Sequence, residues 1–166
     1  MLAQTVRYLK ILLTMMVGLF GLIAAAQNLI QMDTDLALVS QVVSGGGAAG
    51  VAQWQQIQSP LLVTLCWLVI PVAKTIAGVL CFLGVHQMWA ARAADAAQFQ
   101  AAKQAAIAGC GVLLAMLFGV FILISETWFQ QWQTELGGAI LSAAERYIIA
   151  LGIVLFFVNL EDTTPA

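Results

Sequence analysis

Lys74 stands inside an apolar run that extends from Leu61 to Trp89, where an ionisable group is hardest to keep without a purpose. Counted from a helix start at Pro60, its Cα lies about 20 Å along the helix, near the middle of a bilayer. A charge at that depth costs roughly 2.5 to 3.5 kcal/mol on insertion scales. The ammonium must therefore be paired, hydrated in a cavity, neutral, or drawn towards an interface along its own carbons. Pro71, three residues earlier, has no N–H for the carbonyl of Trp67, which brings a kink and a free acceptor to the same stretch. These residues suit a structural ion pair as well as a substrate, proton or partner site, and both readings stay open.

A second group lies in residues 126–146, ETWFQQWQTELGGAILSAAER, between two long apolar runs. Trp128, Phe129 and Trp132 fall at i, i+1 and i+4, opposite Gln130, Gln131, Gln133 and Glu135. One oily and one wet side predict a helix at headgroup depth, serving as an aromatic belt or as a platform for a lipid or quinone. Arg146 has an outer carboxylate, Glu126 or Glu145, as its obvious partner, and a Glu126–Arg146 pair would clamp the base of this segment. In the preceding apolar run Gly111, Ala115 and Gly119 recur every four residues, a smooth face for close packing within a bundle or against a partner.

Other chemistries find little here. His86 is the only histidine, so the chain holds no bis-histidine haem or multi-histidine metal centre, and no Ser–His pair at matching depth. Cys66, Cys81 and Cys110 sit in apolar runs without CxxC spacing and read as small hydrophobes, with no disulfide, metal or cofactor expected. The chain reads as no enzyme. A net charge of -2 with scattered basic residues leaves no footprint for nucleic acid.

The elements that must position these residues follow from composition. With 62% hydrophobic and 8% charged residues in 166, the chain is far from the soluble average of about a quarter charged. The reading is an all-α polytopic membrane protein, one domain over 1–166, built as a four-helix transmembrane bundle. Its approximate spans are 10–30, 61–88, 105–125 and 144–160, the last short unless residues 139–146 extend it upward. Amphipathic or aromatic outer segments cover 31–59 and 126–143, and a cytoplasmic hairpin covers 89–104. In that hairpin Arg92 and Asp95, spaced i, i+3, are expected to pair. Basic loop residues Arg7, Lys10, Arg92 and Lys103 against Arg146 alone put both termini in the cytoplasm. The trio Ala24, Ala25 and Ala26 before Gln27 also fits a signal-peptide cleavage site. Apolar residues resume at Leu29 and Ile30, which favours a retained span. A short amphipathic helix is expected around Leu36 to Val43, ended by the glycines from Gly45, and Ser59 with Pro60 opens the second span.

The chain resembles the DUF2165 family of small integral membrane proteins along nearly its whole length. The resemblance rests on Gln27–Asn28, Ser59–Pro60, ADAAQFQAAK (94–103), WFQQWQ (128–133), AAER (143–146) and FVNLED (157–162). It departs at Thr127, which stands before the Trp-Phe pair where the family has Glu, and at Lys74, where an acidic residue is expected. The resemblance implies four spans in a bacterial inner membrane and no assigned activity. The leading expectation is an accessory or assembly subunit that contacts lipid and other membrane subunits. The alternatives are a small transporter or ion pathway at Lys74, or lipid or quinone binding at the outer aromatics.

Overall fold

In hydrocarbon a backbone satisfies its own N–H and C=O groups as a helix or a closed barrel, and long unalternating apolar runs choose the helix. The computed structural model describes residues 2–163 and contains no strand among them. Helix α1 spans Leu2–Ile30, α2 Met32–Val43, α3 Pro60–Ala90, α4 Ala96–Ala101, α5 Gln104–Met116 and α6 Glu135–Asn159. From Leu117 to Trp128 the α5 rod runs on as a wider π-helix. Four stretches are long and apolar enough to cross a membrane: Leu2–Ile30, Pro60–Ala90, Ala96–Trp128 and Glu135–Asn159. The first ends of α1 and the last turns of α6 share one end of the bundle, here the terminal end; the opposite one is the far end.

Helices in lipid gain little from burying apolar surface against each other, so close approach decides which of them pack. Glycines bring α1, α3 and α5 together. A Cβ built on Gly18 would lie 3.1 Å from Cys81, and one on Gly109 would lie 2.8 Å from the Ala77 carbonyl. Around these contacts Ala77, Cys81, Cys110, Leu113, Met116, Leu117 and Leu151 form the main core. The α6 helix sits at the side of this trio and leaves much of its surface uncovered. The stripe of Gly111, Ala115 and Gly119 is not part of the internal packing: Ala115 is exposed, and a Cβ on either glycine meets nothing within 4 Å. Close packing selects Gly109 instead, whose missing side chain faces α3.

At the terminal end, three cations that the sequence places in loops are fully buried: Arg7, Lys10 and Lys103. They enclose the tail that follows α6. Lys10 Nζ lies 2.9 Å from Asp162 Oδ2, and Lys103 forms a second ion pair with the same carboxylate. Both lysines also donate to the Leu160 carbonyl, at 2.6 and 2.7 Å. Arg7 donates to the carbonyls of Ala94 (2.6 Å) and Thr163 (3.2 Å) while its guanidinium stacks 4.4 Å from the Phe99 ring centroid. The expected Arg92–Asp95 pair does not form. Asp95 instead caps α4, accepting from the Gln98 N–H at 2.8 Å, and Arg92 folds back onto the Trp89 carbonyl and ring. A cap needs the carboxylate turned into its own helix, away from an arginine behind it.

The far end is closed by a cap. Helix α2 lies over α3, and Val43, Val63 and Phe129 form a small satellite core with Leu36, Val39 and Ile57. The glycine loop after α2 needs left-handed backbone at Gly45 and Gly47 (φ 73° and 81°), which glycine adopts without strain. Gln133 clasps that loop through both amide atoms, accepting from the Ala49 N–H at 3.0 Å and donating to its carbonyl at 3.1 Å.

Candidate functional site

Between the cap and the spans lies a cavity of about 560 Å³, within the roughly 300 to 1,000 Å³ that small-molecule pockets occupy. Its walls are apolar residues of α2, α3 and the π-helical stretch, among them Leu38, Val42, Ile70, Val120 and Phe121. Val69, Ile124 and Trp128 on its rim are about half exposed, so it opens sideways towards the lipid. Trp54 stands edge-on to Trp128 at that rim, centroids 5.7 Å apart.

One corner is polar. Lys74 Nζ donates to Asn28 Oδ1 at 2.6 Å, and Asn28 Nδ2 donates to Asp35 Oδ2 at 2.5 Å, all three residues lining the cavity. The amide thus relays an ammonium on α3 to a carboxylate in the first turn of α2. Side chains on a helix lean towards its N-terminus, and α3 starts at the far end, so Lys74 leans that way. Asn28 is two residues from the end of α1, so α3 reaches well past α1 at this end. The Lys74 backbone stands level with Gly21, near the middle of α1 as the count from Pro60 expects, and its side chain carries the ammonium towards the far end to reach Asn28. Two more polar side chains line the cavity away from this corner. Trp67 lines the cavity with a buried indole N–H that has no acceptor among the described residues, and Ser125 is a 7% exposed hydroxyl on the opposite wall.

The π-helix supplies that opposite wall. Its bonds reach five residues back, as in Phe129 N–H to the Ile124 carbonyl (3.0 Å), and Thr127 Oγ1 donates to the Ile122 carbonyl at the same offset (2.9 Å). Val120, Ile124 and Trp128, four residues apart along this wider helix, line the cavity from one face.

Residues 6–161 match the family described as "Predicted small integral membrane protein (DUF2165)". The chain belongs to this family. No curated protein and no solved structure matches it.

In this DUF2165 member the other predicted site residues are placed differently from expectation. Trp128, Phe129 and Trp132 do not share one helix face, because Gln130 adopts left-handed backbone (φ 51°) and breaks the helix between them. Phe129 turns inwards, Trp128 guards the cavity rim, and Trp132 is exposed. Gln131, expected on the wet side, is buried and accepts from the Thr134 hydroxyl. The Glu126–Arg146 clamp is absent. Helix α6 begins at Glu135, eleven residues before Arg146, so the arginine stands midway down a span instead of at its outer end. There it reaches one turn back along its own helix, donating from Nε to the Ser142 carbonyl at 3.2 Å. The sequence named Lys74 and the Trp67 carbonyl near it, but did not join Asn28 and Asp35 to that lysine or place the Trp67 indole and Ser125 in the same cavity. Asn28 and Asp35 bracket the α1–α2 turn seven residues apart, and an amide closing a span is the signal that could have pointed to them.

Proposed function

We propose that this DUF2165 protein binds a lipid- or quinone-class amphiphile that enters its far-end cavity from the surrounding leaflet. The observation that carries this reading is the single polar corner of Lys74, Asn28 and Asp35 in an otherwise apolar chamber open to lipid. An apolar body would lie against Ile70, Val120 and Phe121, and an acceptor oxygen on the head would take a hydrogen bond from Lys74 or the unsatisfied Trp67 indole. The role is binding rather than catalysis: Lys74 is engaged by an amide, and among the described residues no nucleophile at the cavity is hydrogen-bonded to a base. A transport path through Lys74 has less in its favour, because the walls beyond that corner are apolar.

Mass spectrometry of amphiphiles retained through gentle extraction tests the proposal. Lys74→Met keeps the side-chain volume and removes the charged donor, a bond worth roughly 1.5 to 3 kcal/mol. Retained ligand is expected to fall about tenfold or more relative to the native chain. Equal retention, or no amphiphile in either sample, rejects the reading.

The second reading is an accessory subunit of a larger membrane complex, favoured by the outward stripe of Gly111, Ala115 and Gly119, which nothing among the described residues covers. For orientation we place both termini in the cytoplasm of a bacterial inner membrane. Arg7, Lys10, Arg92 and Lys103 gather at the terminal end, and with Arg146 inside a span the far segments hold no lysine or arginine at all.

A further inference from the structure

The exposed side of α6 carries a charge pair that the folded chain leaves unanswered. Tyr147 packs on Phe20, ring centroids 5.0 Å apart, and Phe20 stands ten residues from both Lys10 and Ile30 on α1. Arg146 and Glu145 are therefore near the middle of the span, and both are exposed. Glu145 makes no hydrogen bond or ion pair among the described residues, and Arg146 has only a carbonyl of its own helix. Charges at this depth normally face a partner or a cavity, not lipid.

Arg146 also lies at the centre of a regular pattern. Ser142, Arg146, Ile149, Ile153 and Phe156 follow one another at alternating spacings of four and three residues. All are exposed, the last three by 63%, 65% and 70%. That is the a/d seam of a coiled coil with no second helix in it, and Arg146 holds an a position with Glu145 at the g position before it. In a parallel pair an a-site side chain packs against the partner's preceding g residue, which here is an acid.

We infer that α6 is a homodimerisation helix, two copies pairing in parallel with Arg146 of each against Glu145 of the other. A second copy fits better than a different protein because its charges complement themselves. Two copies inserted the same way carry Glu145 and Arg146 at one depth, and a two-fold axis makes both ion pairs at once with no net charge left over. An unrelated partner would have to bring its own acid and base in matching order at that depth. A lone polar a-site is also how coiled coils fix register and partner number. The pairing is independent of amphiphile binding, since α6 gives the cavity only Ile140.

Cysteine cross-linking of the full chain in native membranes tests this, in a Cys66→Ala background that retains only the two buried cysteines. Ile149→Cys, on the seam, is expected to give a disulfide dimer under mild oxidation. Val79→Cys, equally exposed on α3, is expected to give none. Arg146→Glu should lower the Ile149→Cys dimer yield about tenfold, and the double exchange Glu145→Arg with Arg146→Glu should restore it. The inference fails if Ile149→Cys cross-links no better than Val79→Cys, or if its product contains a different protein. It also fails if Arg146→Glu leaves the yield unchanged, or if the double exchange does not recover it.

Discussion

Asp162→Asn is expected to destabilise the bundle by about 3 to 5 kcal/mol, the usual cost of removing one partner from a buried ion pair. Asparagine keeps the shape and one acceptor oxygen, so the change isolates the charge. Lys10 and Lys103 are completely buried and share this one carboxylate, and among the described residues the buried Arg7 beside them has only carbonyls and the Phe99 ring. Without Asp162 the two lysines keep the Leu160 carbonyl as a common acceptor but no counter-charge. At roughly 2 to 4 °C per kcal/mol for a chain of this size, the melting temperature in detergent should fall by about 10 °C. Adding Lys103→Met to the variant removes one of the stranded cations and should recover part of that loss, because the two positions are directly coupled. A fall of less than about 2 °C would mean that the cluster is hydrated and that the tail is not the counter-ion holding it.

That cluster illustrates what hydropathy cannot reveal. The apolar runs fixed four spans and an all-helical fold, because an unalternating apolar run in lipid has one way to satisfy its backbone. Nothing local pairs Lys10 with a carboxylate 152 residues away, and hydropathy reads the same basic residues only as loop charges that set topology. At α6 the difficulty was different. Glu145 and Arg146 resemble the end of a headgroup segment, yet the last span, short unless residues 139–146 extend it, runs through them and back to Glu135. The buried positions Gly137, Leu141, Ala144, Leu151 and Val158 keep helical spacing straight through the two charges. That periodicity is legible in the sequence, although two adjacent charges interrupt the apolar run that marks a span. Of the candidate cavity, Lys74 was legible because an intramembrane lysine is rare. Its relay was not, since Asn28 and Asp35 are ordinary residues until a turn between α1 and α2 folds them onto α3.

The glycines carry the sharpest test of the arrangement itself. Gly84→Val should be among the most damaging substitutions in the spans, whereas Gly111→Val should be nearly silent, though both put the same side chain into an apolar helix. A Cβ at Gly84 would come within 2.7 Å of Ala106 Cα, backbone that no rotamer change can move aside, so α3 and α5 would have to separate. In lipid that separation gives up the van der Waals contact that holds helices together. A loss of about 3 kcal/mol or more is expected, at the upper end of overpacking costs. At Gly111 the same methyl groups enter open space, and stability should stay within about 0.5 kcal/mol. Thermal unfolding of the two purified variants in one detergent makes the comparison without reference to any ligand or partner. If both melt with the native protein, α3 and α5 do not meet at Gly84 and Ala106, and the close-packed trio of α1, α3 and α5 is wrong. If Gly84→Val alone collapses, the exposed stripe at Gly111 is free to face lipid or another subunit without any role in holding the monomer together.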